Sequence, residues 1–169
     1  TIFETNYLHL DKIVDIAENL LASSITFHHL IFLNQQTYAH HNEIFTHLFN
    51  VTCQDWRGFV REILPNIDVE QLINSINNLK KRVSQTLIHF YPNLTETEIR
   101  QYYTGFNFKP SSYKHRCISP WMVAYIFPDG SVRPCQSLNY VAGNIKEDSF
   151  KNIWNNQNYL RFRRITKEN

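Results

Sequence analysis

The sequence predicts a mixed α/β fold that ends in a small cysteine-flanked hairpin, and three observations carry this. Apolar residues recur at helical spacing over 10–21 and 69–83. Strand-like runs stand at 24–33 and 86–91. Cys117 to Cys135 reads CISPWMVAYIFPDGSVRPC, two apolar runs around Asp129-Gly130. Strand after helix points to βα layers and a parallel sheet.

Asn6 is read as the cap of a first helix whose apolar positions are Leu10, Ile13, Val14, Ala17, Leu20 and Leu21. Ser24 to Leu33 reads as a strand, apolar on both parities and so covered on both faces. Asn34-Gln35-Gln36 follows it at once. Ligands sit at the carboxyl ends of strands in parallel α/β folds, so Asn34 and Gln36 are candidate substrate-binding amides. An ordinary polar loop is the alternative.

Residues 37–50 are read as a helix with Tyr38, His41, Phe45, Leu48 and Phe49 inward. A second, at 55–64, presents Trp56, Phe59, Val60, Ile63 and Leu64 and stops at Pro65. Asp68 and Gln71 open a longer helix that buries Val69, Leu72, Ile73, Ile76, Leu79 and Val83. Lys80-Lys81-Arg82 near its end suits the helix dipole and reads as a solvated face. Thr86 to Tyr91 is the next strand. Thr95 and Glu98 form a capping-box pair for a helix to about Tyr103, with Gly105 as its stop. Phe106 to Tyr113 is a linker. Short helices are expected at 147–154 and 159–165.

The composition narrows the function classes. The 169 residues are 43% hydrophobic and 14% aromatic, enough for a packed core. A net charge of +2 is too weak to argue for a nucleic-acid partner. No run approaches the roughly 18 apolar residues of a membrane helix, and no signal peptide is visible. A start at Thr1 without methionine leads to the expectation of a piece of a longer protein.

Cys53, Cys117 and Cys135 are no disulfide framework. Paired cysteines in a reducing compartment more often serve metals or redox chemistry, so a cytoplasmic location is expected. Asp-Gly between β-forming runs is a strong hairpin signal. Folding there brings Cys117 and Cys135 toward each other, with the excess length of the first arm absorbed in a bend near Ser119-Pro120. Two thiolates so held are a candidate partial ligand set for an iron–sulfur site. A disulfide between them is the alternative.

The spacing Cys-x12-Gly-x4-Cys, with Gly143-Asn144-Ile145, then Ser149-Phe150-Lys151-Asn152-Ile153-Trp154-Asn155 and Phe162-Arg163-Arg164, resembles a known family. It is similar to the radical S-adenosylmethionine (SAM) enzymes that carry a SPASM or shortened "twitch" auxiliary-cluster domain. The resemblance is tight over about 113–169 and loose before it. It implies that residues 1–112 are the C-terminal part of a partial (β/α)6 barrel. Residues 113–169 would then be a truncated α+β SPASM/twitch-like domain. It further implies an auxiliary [4Fe–4S] cluster with Cys117 and Cys135 among its ligands, SAM as the parent's cofactor, and a peptide or protein substrate.

The family's Cys-x3-Cys-x2-Cys signature is absent, so this chain alone is expected not to cleave SAM. The family's further auxiliary cysteines fall after the helix carrying Phe162-Arg163-Arg164, and this chain stops at Asn169 before them. Either the parent continues or the cluster is lost. The expected function is therefore part of a radical SAM/SPASM enzyme; the alternatives are a SPASM-like peptide-binding module without a working cluster and a small zinc- or disulfide-stapled domain. His28-His29 and His40-His41 lack zinc-site spacing. His115, two residues before Cys117, is the histidine to watch. Cys53 reads as a buried structural thiol. No phosphate loop, hydrolase elbow or zinc-protease motif is present.

Overall fold

The computed structural model describes residues 1–112 and 117–168. The chain forms two compact units, Thr1–Leu33 with Arg61–Lys114 and Asn34–Val60 with His115–Asn169. The mixed α/β composition is as expected. The division is not the sequence-based one at 112/113: residues 34–60, read there as N-terminal, pack with the C-terminal segment.

The first unit is built on a parallel pair, β1 (Ser24–His28) and β2 (Leu87–Tyr91). Ile25 stands opposite Ile88 and Phe27 opposite Phe90, whose rings stack at 5.4 Å. Helices α1 (Leu10–Asn19), α3 (Val69–Lys81) and α4 (Glu96–Thr104) supply the rest. Their apolar stripes are Leu10 and Val14, then Leu72, Ile73, Ile76 and Leu79, then Ile99 and Tyr103. Each such side chain contributes about 1.5–3 kcal/mol by leaving water. The caps are those expected: Asp68 Oδ1 accepts from the Gln71 N–H, and Thr95 with Glu98 closes a capping box.

Several expectations fail here for local reasons. The cap of α1 is His9, while Asn6 accepts the Phe3 N–H in a preceding turn. Leu20 and Leu21 lie past the helix end and are exposed. The strand expected over 24–33 stops at His28 and alternates in burial rather than being covered on both faces. Beyond it the Tyr102 hydroxyl takes the Leu30 carbonyl, and the Arg61 N–H takes that of Leu33, so those groups leave the ladder. Val83, expected inside, is solvent-exposed because α3 ends at Lys81. Gly105 follows α4 in extended rather than left-handed backbone.

The second unit holds α2 (Gln35–Phe49) and a three-stranded antiparallel sheet in the order β3 (Tyr125–Ile126), β4 (Ser131–Arg133), β5 (Gly143–Asn144). It also holds α5 (Ser119–Met122), α6 (Phe150–Trp154) and α7 (Gln157–Glu168). Phe45 and Phe49 of α2 pack with Cys53, Tyr140 and Phe162. Val132, Ala142, Ile153 and Tyr159 make a second small core. The helix expected over 55–64 is a single 3-10 turn, Arg57–Phe59. Gly58 in its middle is a poor helix former.

Candidate functional site

The hairpin joins β3 to β4 through Pro128-Asp129-Gly130, as the Asp-Gly signal predicts. Phe127 and Ser131 bond across its end, and Gly130 donates its N–H to the Phe127 carbonyl. Asp129 Oδ1 accepts from both the N–H and the hydroxyl of Ser131. Those two bonds hold its carboxyl below the usual range. The Gly-Asn-Ile triplet then closes the turn from the far side. Asn144 Nδ2 donates to the Asp129 carbonyl, and the Ile145 N–H donates to that of Gly130. A Cβ on Gly143 would stand 3.0 Å from Ile153, so this glycine lets α6 seat its one buried residue against β5.

The first arm departs from the expected strand. Residues 119–122 form α5 and only Tyr125–Ile126 join the sheet. Pro120 explains it: it has no N–H for a ladder, and it is tolerated in a helix's first turn. The bend expected near Ser119-Pro120 is this helical turn.

Cys117 lies two residues before α5 and is exposed; Cys135 lies two residues after β4 and is half-buried. Neither is in a disulfide, nor is Cys53. Burial pushes the Cys135 thiol up, the Ser137 N–H pulls it back, and the Cys117 and Cys53 sulfurs both push it further up. Cys53 is fully buried, as expected of a structural thiol, and directs its S–H toward the Ser137 carbonyl at 3.9 Å. Trp56 Nε1 donates to that same carbonyl at 2.7 Å. Cys117 opens onto an apolar cavity of about 310 Å³ lined by Phe45, Phe49, Leu138, Phe162, Ile165 and Thr166.

As a donor set this is incomplete. An iron–sulfur cluster is held by about four thiolates. Among the described residues no group of three or more His, Cys, Asp or Glu side chains stands together as metal ligands. Soft sulfur donors are present, but they do not by themselves fit a whole cluster. The histidines add nothing to them. His29 is buried with its Nδ1 on the Tyr103 hydroxyl, and His41 stacks on Trp56. His28 and His40 are exposed, and His115 lies outside the described residues.

The C-terminal end of the chain has a counterpart among known families. Residues 117–169 match the SPASM model, an iron–sulfur cluster-binding domain. The match opens on Cys117 itself and covers less than half of the 169 residues. No curated protein and no solved structure matches the chain. No helix among the described residues is long and apolar enough to cross a membrane.

The amides expected to face a substrate are placed otherwise than at a strand end. Asn34 caps α2, its Oδ1 accepting the Thr37 N–H, and Gln36 is exposed in the first turn of that helix. Sequence reasoning missed two residues that hold the cysteine-bearing loops. The sequence places Trp56 on a helix face and gives Arg163 no role beyond the Phe162-Arg163-Arg164 run. The spacing Tyr159-x3-Arg163 is the one signal that places Arg163 on the inward stripe of α7.

Proposed function

We propose that residues 117–169 are an auxiliary iron–sulfur segment in which Cys117 and Cys135 supply two of the ligands. The remaining ligands come from outside these 169 residues. The observation that carries this is a SPASM match that begins at Cys117 and takes in Cys135, two cysteines that are both free of disulfides. In this reading the chain is the C-terminal part of a cytoplasmic radical SAM enzyme, an oxidoreductase or maturase acting on a peptide or protein. The first unit, residues 1–33 and 61–112, is then the end of a partial (β/α)6 barrel, for which the parallel β1–β2 pair is the support. SAM and the catalytic [4Fe–4S] cluster belong to the parent's other part. Asn34 and Gln36 remain candidates for contacts to substrate.

A second reading is favoured by the incomplete donor set: a SPASM-like module kept for peptide recognition without a working cluster. Reconstitution with iron and sulfide separates the two. The chain extended past Asn169 is expected to develop cluster absorbance that Cys117→Ala and Cys135→Ala each diminish. The 169-residue chain is expected to hold no intact cluster and to yield no 5′-deoxyadenosine from SAM. An extended chain that stays colourless, or is unaffected by both substitutions, overturns the cluster reading.

A further inference from the structure

Arg163 is a cation buried without an acidic partner among the described residues. It is only 8% exposed. Its Nε donates to the Pro120 carbonyl at 2.9 Å and its Nη1 to the Trp154 carbonyl at 2.9 Å. The rings of Trp154 and Tyr159 lie 4.3 and 4.4 Å from its Cζ. Nη2 is buried with no partner among the described residues.

Removing a guanidinium from water is costly, and an apolar side chain of similar length between two aromatic rings is often at least as stable. Stability alone therefore does not account for an arginine here. What it does that an apolar residue cannot is hold two carbonyls. One of them, Pro120, sits in α5, three residues past Cys117. Tyr159, one turn earlier on the same stripe of α7, donates its hydroxyl to the Val123 carbonyl at 3.0 Å. Pro120 is the one buried side chain of α5, and the rest of the stretch has little hold of its own. Ile118, Trp121, Met122 and Val123 are all exposed, and the Trp121 and Val123 N–H groups bond within the turn.

We propose that Arg163 is a positioning residue for Cys117. With Tyr159 it clamps both ends of α5 and so sets where the Cys117 thiol stands relative to Cys135. The inference rests on reading those two cysteines as one site. A thiol on an exposed, four-residue turn would otherwise sample many positions, and a ligand needs one.

The test uses the 169-residue chain, with dibromobimane as a reagent that fluoresces on bridging two neighbouring thiols. Peptide mapping assigns the bridge, and amide hydrogen exchange is read over 118–123. Arg163→Met is expected to cut Cys117–Cys135 bridging roughly five-fold, the size of one lost hydrogen bond of about 1 kcal/mol. It should also speed exchange over 118–123. Arg163→Lys, which keeps a charged donor, is expected to recover at least about half of the bridging, a rescue that mere packing does not give. Tyr159→Phe keeps the ring, and should speed exchange at 118–123 even if Arg163→Met fails to fold. Bridging and exchange unchanged in Arg163→Met overturn the proposal, as does a lysine variant no better than methionine. If the wild-type chain is not bridged at all, the one-site reading falls. The clamp is then judged on exchange alone: faster exchange confined to 118–123 upholds it, and unchanged exchange overturns it.

Discussion

Trp56 donates its indole N–H to the carbonyl of Ser137 at 2.7 Å, two residues beyond Cys135. The N–H of that same residue, Ser137, turns to the Cys135 sulfur, so one indole steadies the loop that carries the thiol. Trp56→Phe keeps an aromatic ring against His41 but leaves the carbonyl with the weak Cys53 S–H as its remaining donor. The expected loss is about 1 kcal/mol in urea unfolding, the usual size for one hydrogen bond. Alkylation of Cys135 should also quicken. An unchanged midpoint with unchanged Cys135 reactivity would count against a holding role for Trp56.

Gly130 has φ +88°, a region L side chains rarely adopt, and a Cβ there would run into Asn144 Oδ1 and stand 3.1 Å from Lys146 Cγ. Strain and clash coincide at one position. Gly130→Ala is expected to cost about 2 kcal/mol or more, with the backbone conformation alone supplying ~1–2 kcal/mol. Asp129→Ala removes the two bonds to Ser131 and leaves the backbone conformation allowed, so it should cost clearly less. Equal losses in the two variants would show that the turn does not depend on the glycine's conformation.

Much of this was legible in the chain because the signals are local. The Thr95–Glu98 capping box, the Asp68 cap, the apolar stripe of α3 and the Asp-Gly turn are each set by residues within one turn of one another. What failed was decided by distant partners. The strand ends at His28 because Tyr102 and Arg61 take carbonyls further on. The segment 55–64 does not become a helix, and its Trp56 meets a loop about eighty residues away. Charge is normally outside, so the sequence gives no reason to expect Arg163 inside; only the carbonyls of Pro120 and Trp154 show why it is there. The candidate site was half-readable in the same sense. The two cysteines and the turn between them stand out, while the residues that hold them do not.

Buried His29 gives a pH prediction. Burial, with the Lys80 charge adding to it, lowers its pKa from 6.5 to about 4. The folded value lies below the unfolded one, so the neutral imidazole contributes stability that is fully present above about 6.5. That stability is lost as pH falls toward 4. By pH 5 the loss is about 2 kcal/mol for this one group. His29→Gln is expected to be less stable at pH 7, since the Tyr103 hydroxyl loses its ring partner, but to show little of this slope. Urea midpoints at pH 7 and pH 5 decide it. A slope as steep in the variant as in the wild type would place the acid sensitivity elsewhere.

Glu98 acts in a lower window. Its carboxylate accepts the N–H of Thr95, then the N–H of Ser112, and the hydroxyls of Thr95, Ser111 and Ser112 as well. These donors favour the ionised form and lower its pKa from 4.5 to about 2. A depressed carboxylate contributes stability that is present above about 4.5 and disappears as pH falls through to about 2. The acid loss of the first unit should therefore come in two stages, the His29 stage between about 6.5 and 4 and the Glu98 stage below it. Glu98→Gln removes the charge but keeps an acceptor oxygen, so the variant should start weaker at pH 7 and be nearly flat between pH 4.5 and 2. The Ser112 amide, whose N–H is held by Glu98 in the folded chain, should exchange faster in the variant at neutral pH. A wild-type urea midpoint that does not fall between pH 4.5 and 2, or a glutamine variant that falls just as far, would show that this carboxylate is not what ties 111–112 to α4.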